Sequence, residues 1–184
     1  MAIDWALSPE RQLELDRRGQ CLDAFRSEFD YLWRTLRRLG ISDGDVEDVL
    51  HEVFLVLHRR WADYRPAFPL RPWLFGIAFR VASAHRRRLR REVPHAWIEL
   101  EDLGPHPDEQ AILGQRRQLV LAALEHVPLG RRAVLVMHDL DGAHMREIAA
   151  TLSIPLFTAY SRLRKARQEF ELAARRLERT GAPR

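Results

Sequence analysis

His51 and Glu52 stand side by side, and His58 follows seven positions after His51. Two imidazoles and a carboxylate on one helix are the raw material of a zinc hydrolase, the rings to hold the metal and the acid to activate water. The spacing argues against that chemistry. A His-Glu-x-x-His site needs its histidines four apart, and the position that would complete it is Leu55. His51 and His58 share a helix face but lie ~10 Å apart along the axis at ~1.5 Å rise per residue, too far to hold one zinc at ~2 Å. The remaining histidines are scattered, and none pairs with an acid and a nucleophile. Cys21 is the only cysteine, which leaves no intrachain disulfide and no cysteine-based zinc cluster. No catalytic residue, metal site or cofactor is therefore expected, and the chain does not read as an enzyme.

The second chemical resource is arginine. Lys165 is the only lysine, so 29 of the 30 basic residues are arginine. Guanidinium groups grip phosphate and guanine in bidentate fashion and stack on bases, although GC-rich coding produces the same bias. A formal net charge of +4 is too small to imply nucleic acid by itself, so the distribution has to decide. Two stretches concentrate the charge. One contains Arg80, Arg86, Arg87, Arg88, Arg90 and Arg91; the other contains Arg162, Arg164, Lys165 and Arg167 among the hydroxyls of Thr158, Tyr160 and Ser161. Ahead of the first, "DYRPAFPLRP" offers Tyr64 and Phe68 to stack on unpaired bases, and Arg65 and Arg71 to hold phosphates.

The elements that must position these groups are helices, since no convincing alternating strand is present. Ser8-Pro9 reads as an N-cap and first helical position of a helix reaching Arg38, with a break near Gly19. "LGISDGD" is a turn in which Asp43 or Asp45 can cap the next helix. There Val46, Val49, Leu50, Val53, Phe54, Leu57 and Trp61 follow helical spacing and predict the buried stripe. Asp48, His51, Glu52, Leu55, His58 and Arg59 fall on the opposite face. Pro72 starts a further helix, in which Trp73 and Ile77 read as core.

Residues 93–114 carry prolines and acids and no base until the helices resume, which predicts an acidic linker. Beyond it, helices are expected over Gln115–Val127 and Arg131–Asp139. A short helix from Met145 to Leu152 then meets a tight turn at Ser153-Ile154, and Pro155 opens a longer one. Ile148, Ala149 and Leu152 line one face of the first, and Leu156, Ala159 and Leu163 one face of the second. This is the pattern of a helix-turn-helix, whose second helix enters the DNA major groove. The expected fold is all-α: two small helical domains, 1–92 and 115–184, on a flexible linker. The acidic N-terminal stretch does not read as a signal peptide, and no apolar run approaches the ~18 residues of a membrane span. A cytoplasmic location without membrane insertion is expected.

"ALEHVPLGRRAVLVMHDLDGAHMREIAATLSIPLFTAYSRLRKAR" resembles the fourth conserved region of extracytoplasmic-function sigma factors, in the bacterial sigma-seventy family. The counterparts are Val127-Pro128, Arg132, Gly142, Glu147-Ile148-Ala149, Ile154-Pro155, Thr158, Ser161-Arg162-Leu163 and Lys165-Ala166-Arg167. "DVEDVLHEVFLVLHRRW" and "LRPWLFGIAFRVASAHRRRLRR" are similar to the second region, in the right order. The chain departs from the family pattern at His51 (usually Gln), Arg80 (Asn), Ala84 (Asp), His144 (Ser or Thr) and Phe157 (Gly). The resemblance implies a factor that binds core RNA polymerase and directs promoter-specific initiation. The face with Asp48, His51, Glu52, Leu55, His58 and Arg59 would dock on the β′ clamp helices. Tyr64, Arg65, Phe68, Arg71, Arg80 and Arg87 would take melted minus-ten DNA. Thr158, Tyr160, Ser161, Arg162, Arg164, Lys165 and Arg167 would read the minus-thirty-five duplex, with the β flap and an anti-sigma factor as further partners.

Two other readings fit the residues without the resemblance. One is a helix-turn-helix regulator with an N-terminal sensing or dimerisation domain, binding duplex DNA alone. The other is a helical adaptor that binds proteins only.

Overall fold

The computed structural model describes residues 9–92 and 109–179, with side chains from Arg17 to Arg91 and from Gly114 to Arg179. Ser8 and most of the expected linker lie outside the described residues. Among those described there is no strand. The N-terminal block comprises α1 (Pro9–Ser27), α2 (Phe29–Arg38), α3 (Val46–Arg60) and α4 (Leu70–Glu92), with a 3-10 turn over Trp61–Asp63. The C-terminal block comprises α5 (Glu109–Glu125), α6 (Leu129–Leu135), α7 (Met145–Thr151) and α8 (Leu156–Arg179). A π-helical turn, Val136–Leu140, continues α6. No described helix is long and apolar enough to cross a membrane.

Helical spacing accounts for most of this. Val46, Val49, Leu50, Val53 and Leu57 of α3 are buried against α4, Trp61 packs at the margin of the core, and Phe54 is only half-buried, against Phe25. Leu74, Phe75, Ile77, Ala78, Val81 and Ala82 supply the face that α4 turns toward them. The first break falls at Glu28, not at Gly19, which sits inside α1 with nothing near its missing side chain. An exposed mid-helix glycine costs only ~1 kcal/mol, which the rest of a long helix absorbs. At the real break, the Ser27 hydroxyl donates back to the Ala24 carbonyl, a local bond that competes with the helical ladder. Helix α4 begins two residues ahead of Pro72, and α5 begins at Glu109, inside the stretch expected to be linker. Asp45 is the N-cap of α3, but its carboxylate accepts from Ser42 and makes no bond to the helix amides.

The two blocks pack directly on each other, and their apolar residues form one continuous cluster. Gly40, just past α2, has φ +84, the left-handed conformation that closes helices most cheaply with glycine. Its missing side chain leaves room for two guanidiniums, Arg86 from α4 and Arg132 from α6. Arg86 donates to the Gly40 carbonyl at 2.9 Å and, at 3.4 Å, to that of Leu39, the C-cap residue of α2. Arg132, 1% exposed, donates to the carbonyls of Val127 at 3.1 Å and Glu125 at 2.8 Å, closing α5 in the same way. Burial, and then the neighbouring Arg86, push the Arg132 guanidinium down to about 10.

A Cβ at position 40 would meet both guanidiniums and sit on a backbone that disfavours L side chains. Gly40→Ala should therefore cost ~2 kcal/mol or more, ~4–8 °C for a chain of this size. Thermal unfolding followed by circular dichroism measures the shift, and an unchanged midpoint would contradict this account of the joint.

Candidate nucleic-acid and protein interfaces

The C-terminal site is built on α7 and α8. Ile148 and Ala149 of α7 are buried against Ala159 and Leu163 of α8, so small side chains let the two helices cross closely. The connection turns through Ser153 at φ 54, an unusual conformation for a residue with a side chain. The Ile154 amide donates to the Ala149 carbonyl and the Ala159 amide to that of Pro155, which ends one helix and starts the next. The expected helix-turn-helix is present in its expected place.

Burial of Ala159, Leu163, Ala166 and Ala173 fixes which side of α8 looks outward. At 3.6 residues per turn, Phe157, Tyr160 and Arg164 form the line opposite that stripe, with Ser161 beside them and Thr158 and Lys165 on the flank. Arg164 and Lys165 are exposed, with no charged partner among the described residues. Two of the arginines expected on DNA are engaged elsewhere. Arg167 makes a two-pronged pair with Asp139 at 2.6 and 2.9 Å, and that hydrogen bonding holds the Asp139 carboxyl below its ordinary range. Arg162 is half-buried and reaches toward the Gly130 carbonyl at 3.5 Å. Phe157, absent from the expected set, is 83% exposed. Its signal in the sequence is an aromatic residue out of phase with the apolar stripe.

The N-terminal site divides in the same way. Tyr64 is stacked on Trp61 at 5.4 Å and lies 5.1 Å from Trp73, and its hydroxyl donates to the Phe68 carbonyl. Tyr64 is thus half-buried within an aromatic cluster, and Phe68, 64% exposed, is the open aromatic of this loop. Trp73 belongs to that aromatic cluster, and Ile77 to the core. Arg71 pairs with Glu28 at 2.9 Å and lies over the Tyr31 ring. Arg80 donates to the carbonyl of Gly76 in its own helix and, at 3.5 Å, to that of Thr151 in α7. Arg65 and Arg87 are exposed.

On α3, Asp48, His51, Leu55, His58 and Arg59 are exposed together, and Leu55 is 44% exposed. Glu52 is half-buried and pairs with Arg88 of α4 at 3.4 Å. Along the edge of this face runs an apolar trough of about 350 Å³, lined by Leu22, Phe25, Phe29, Trp33 and Phe54 beside His51. Side chains from three helices form it, which the pattern of any one helix could not reveal. Among the described residues no cluster of histidine, cysteine or carboxylates could hold a metal ion. The Cys21 thiol is buried, and burial raises its pKa.

A family model described as "Sigma-70 region 2" matches residues 24–92, and one described as "Sigma-70, region 4" matches residues 117–170. The chain belongs to the sigma-70 family, in its extracytoplasmic-function group. It is 31% identical over 151 residues to "ECF RNA polymerase sigma factor SigE" of Mycolicibacterium smegmatis, covering 78% of this chain and 57% of that protein. The chain thus spans little more than half the length of that relative. It is 26% identical to "ECF RNA polymerase sigma-E factor" of Escherichia coli, covering 71% of this chain and 74% of that one. The fold matches sigma factor RpoE in its complex with anti-sigma factor NepR from Bartonella quintana, at TM-score 0.65 and 20% identity over 82% of this chain and 96% of that one. It also matches CnrH in complex with the cytosolic domain of CnrY, at TM-score 0.60 and 23% identity over 88% and 94%.

Regions 2 and 4 of this chain meet through Asp141. Its carboxylate accepts from the Tyr31 hydroxyl at 3.0 Å and from Arg38 at 3.1 Å, both on α2. Burial raises the Asp141 carboxyl despite those two donors. Asp141→Ala should remove ~1–3 kcal/mol from the contact between regions and leave the Tyr31 hydroxyl without its acceptor. Small-angle scattering should then report a larger radius of gyration, and an unaltered radius would show that Asp141 does not hold the regions together.

Proposed function

We propose that this protein directs promoter-specific transcription initiation as a subunit of bacterial RNA polymerase. The observation that carries the reading is the pairing, in one chain and in family order, of region 2 with a helix-turn-helix whose second helix exposes Arg164 and Lys165. The exposed face of α3 with Leu55 at its centre docks on the β′ clamp helices, and the β flap receives region 4. Phe68, Arg65 and Arg87 engage melted minus-ten DNA, stacking on unpaired bases and holding phosphates. Arg71 and Arg80 join them once released from Glu28 and Thr151. Arg164, Lys165, Ser161, Thr158 and Tyr160 read the minus-thirty-five duplex, the cations fixing register on phosphates and the outer line reaching base edges. Arg162 and Arg167 support that helix from its sides, through the Gly130 carbonyl and Asp139.

No covalent step belongs to this chain. Opening follows from binding the single-stranded state better than the duplex, which shifts the population of melted promoter. The arginine field makes affinity fall with salt, since each neutralised phosphate releases condensed counterions. An anti-sigma factor is a fitting partner, as for the sigma factor RpoE of Bartonella quintana named above, and action in the cytoplasm follows from the role.

Mixing the chain with core polymerase and transcribing genomic promoter fragments tests the reading. Co-purification with core and initiation at defined starts are expected; the absence of both would refute it. Leu55→Arg should weaken core binding by ~10-fold or more, the scale of a charge placed in a desolvated contact. The double substitution Arg164→Ala, Lys165→Ala should weaken upstream duplex binding at unchanged core affinity. Loss of core binding in that variant would contradict the division of roles.

A further inference from the structure

Phe157 is the most exposed large apolar side chain among the described residues, at 83%, and Tyr160 is 56% exposed. Neither ring has an aromatic neighbour among those residues, in contrast to the paired rings of α1, α2 and the Trp61 cluster. The two lie three residues apart, with Arg164 four further on, so they share the outer line of α8. Nothing on the described surface covers them. Tyr160 also borders a cleft with His138, His144, Arg146 and Glu147, so the polar rim of the aromatic pair includes groups from α7 and the turn before it.

An unpartnered aromatic pair has several potential occupants, and the charge around this one selects among them. Arg164 and Lys165 flank it on α8, and Arg146 stands exposed on α7. A patch of apolar rings framed by cations suits a surface that is anionic at its edges and apolar at its centre. The floor of the DNA major groove is such a surface wherever thymine occurs, because its C5-methyl is the one apolar group displayed there and phosphates border it on both sides. Hydroxyl and guanidinium side chains read donors and acceptors but gain little from a methyl group. Phenyl and phenol edges do the reverse.

We infer that Phe157 and Tyr160 are specificity-determining residues that read thymine methyl groups in the upstream promoter element. The inference rests on the sigma reading and makes it more specific. Arg164 and Lys165 set the register on the backbone, and the aromatic pair makes the factor prefer T·A steps where the start of α8 enters the groove. The pair lies on the surface, so its loss should leave the helix-turn-helix folded; alanine is also a better helix former than phenylalanine.

The test uses the full chain bound to core polymerase. Upstream duplexes are selected from a randomised pool by the unaltered factor, by Phe157→Ala and by the Arg164→Ala, Lys165→Ala pair. The unaltered factor should enrich a motif with at least one T·A step that becomes degenerate in Phe157→Ala. Deoxyuridine, which lacks only the methyl, is then placed at that step. It should weaken the unaltered factor by about fourfold per methyl, the value of one buried methylene, and weaken Phe157→Ala by less than twofold. Equal losses in both proteins, or an unchanged motif in Phe157→Ala, would overturn the inference while the sigma reading stands. Phe157→Ala that selects the same motif yet loses core affinity would assign the patch to a protein partner instead, which also overturns it. If the unaltered factor enriches no motif, the inference is overturned, while core binding and initiation decide the sigma reading separately.

Discussion

Two arginines and a glycine form the joint on which the packed arrangement depends. Arg86 and Arg132 close the carbonyl ends of α2 and α5, and both converge on Gly40, the one position where a side chain would keep them out. Like charges this close and this buried repel, and the lowered affinity of Arg132 for its proton records the burial and the repulsion together. What offsets the repulsion is hydrogen bonding to carbonyl groups that helix ends otherwise leave open. The polar chemistry of helix termini, not apolar contact alone, therefore sets how the two regions are joined.

Helical periodicity made much of this legible in advance. Val46, Val49, Leu50, Val53 and Leu57 are buried, and Asp48, His51, Leu55, His58 and Arg59 are exposed, because a period of 3.6 residues assigns each position to one side. The helix-turn-helix was legible for the same reason, reinforced by the small residue Ala149 at the crossing. Pro72 and Gly19 were poorer guides. Proline is tolerated in the first turn, and a long helix carries one exposed glycine, so neither fixes a boundary alone.

The cationic residues show where such reading stops. Arg71, Arg80 and Arg167 count equally toward charge in the sequence, but each has a partner distant along the chain. Glu28 lies 43 positions from Arg71, Thr151 lies 71 from Arg80, and Asp139 lies 28 from Arg167. Tyr64 is similar: a lone aromatic in a loop looks free to stack on a base until Trp61 and Trp73 pack against it. Periodicity assigns residues to faces, whereas pairing across elements is a property of the assembled fold. Phe157 is the converse case, a ring that periodicity puts outside and that no partner brings back.

The seam between Arg80 and Thr151 also sets a reference state for anything that binds there. Gly76 and Arg80 of α4 lie against Thr151 of α7, so a ligand on that part of α4 can bind only molecules in which α7 has moved away. Its apparent affinity is then its intrinsic affinity multiplied by the fraction of molecules already open. Each ~1.4 kcal/mol that favours the packed form lowers that apparent affinity tenfold. Thr151 is therefore part of the binding constant of a ligand on α4 that never touches it.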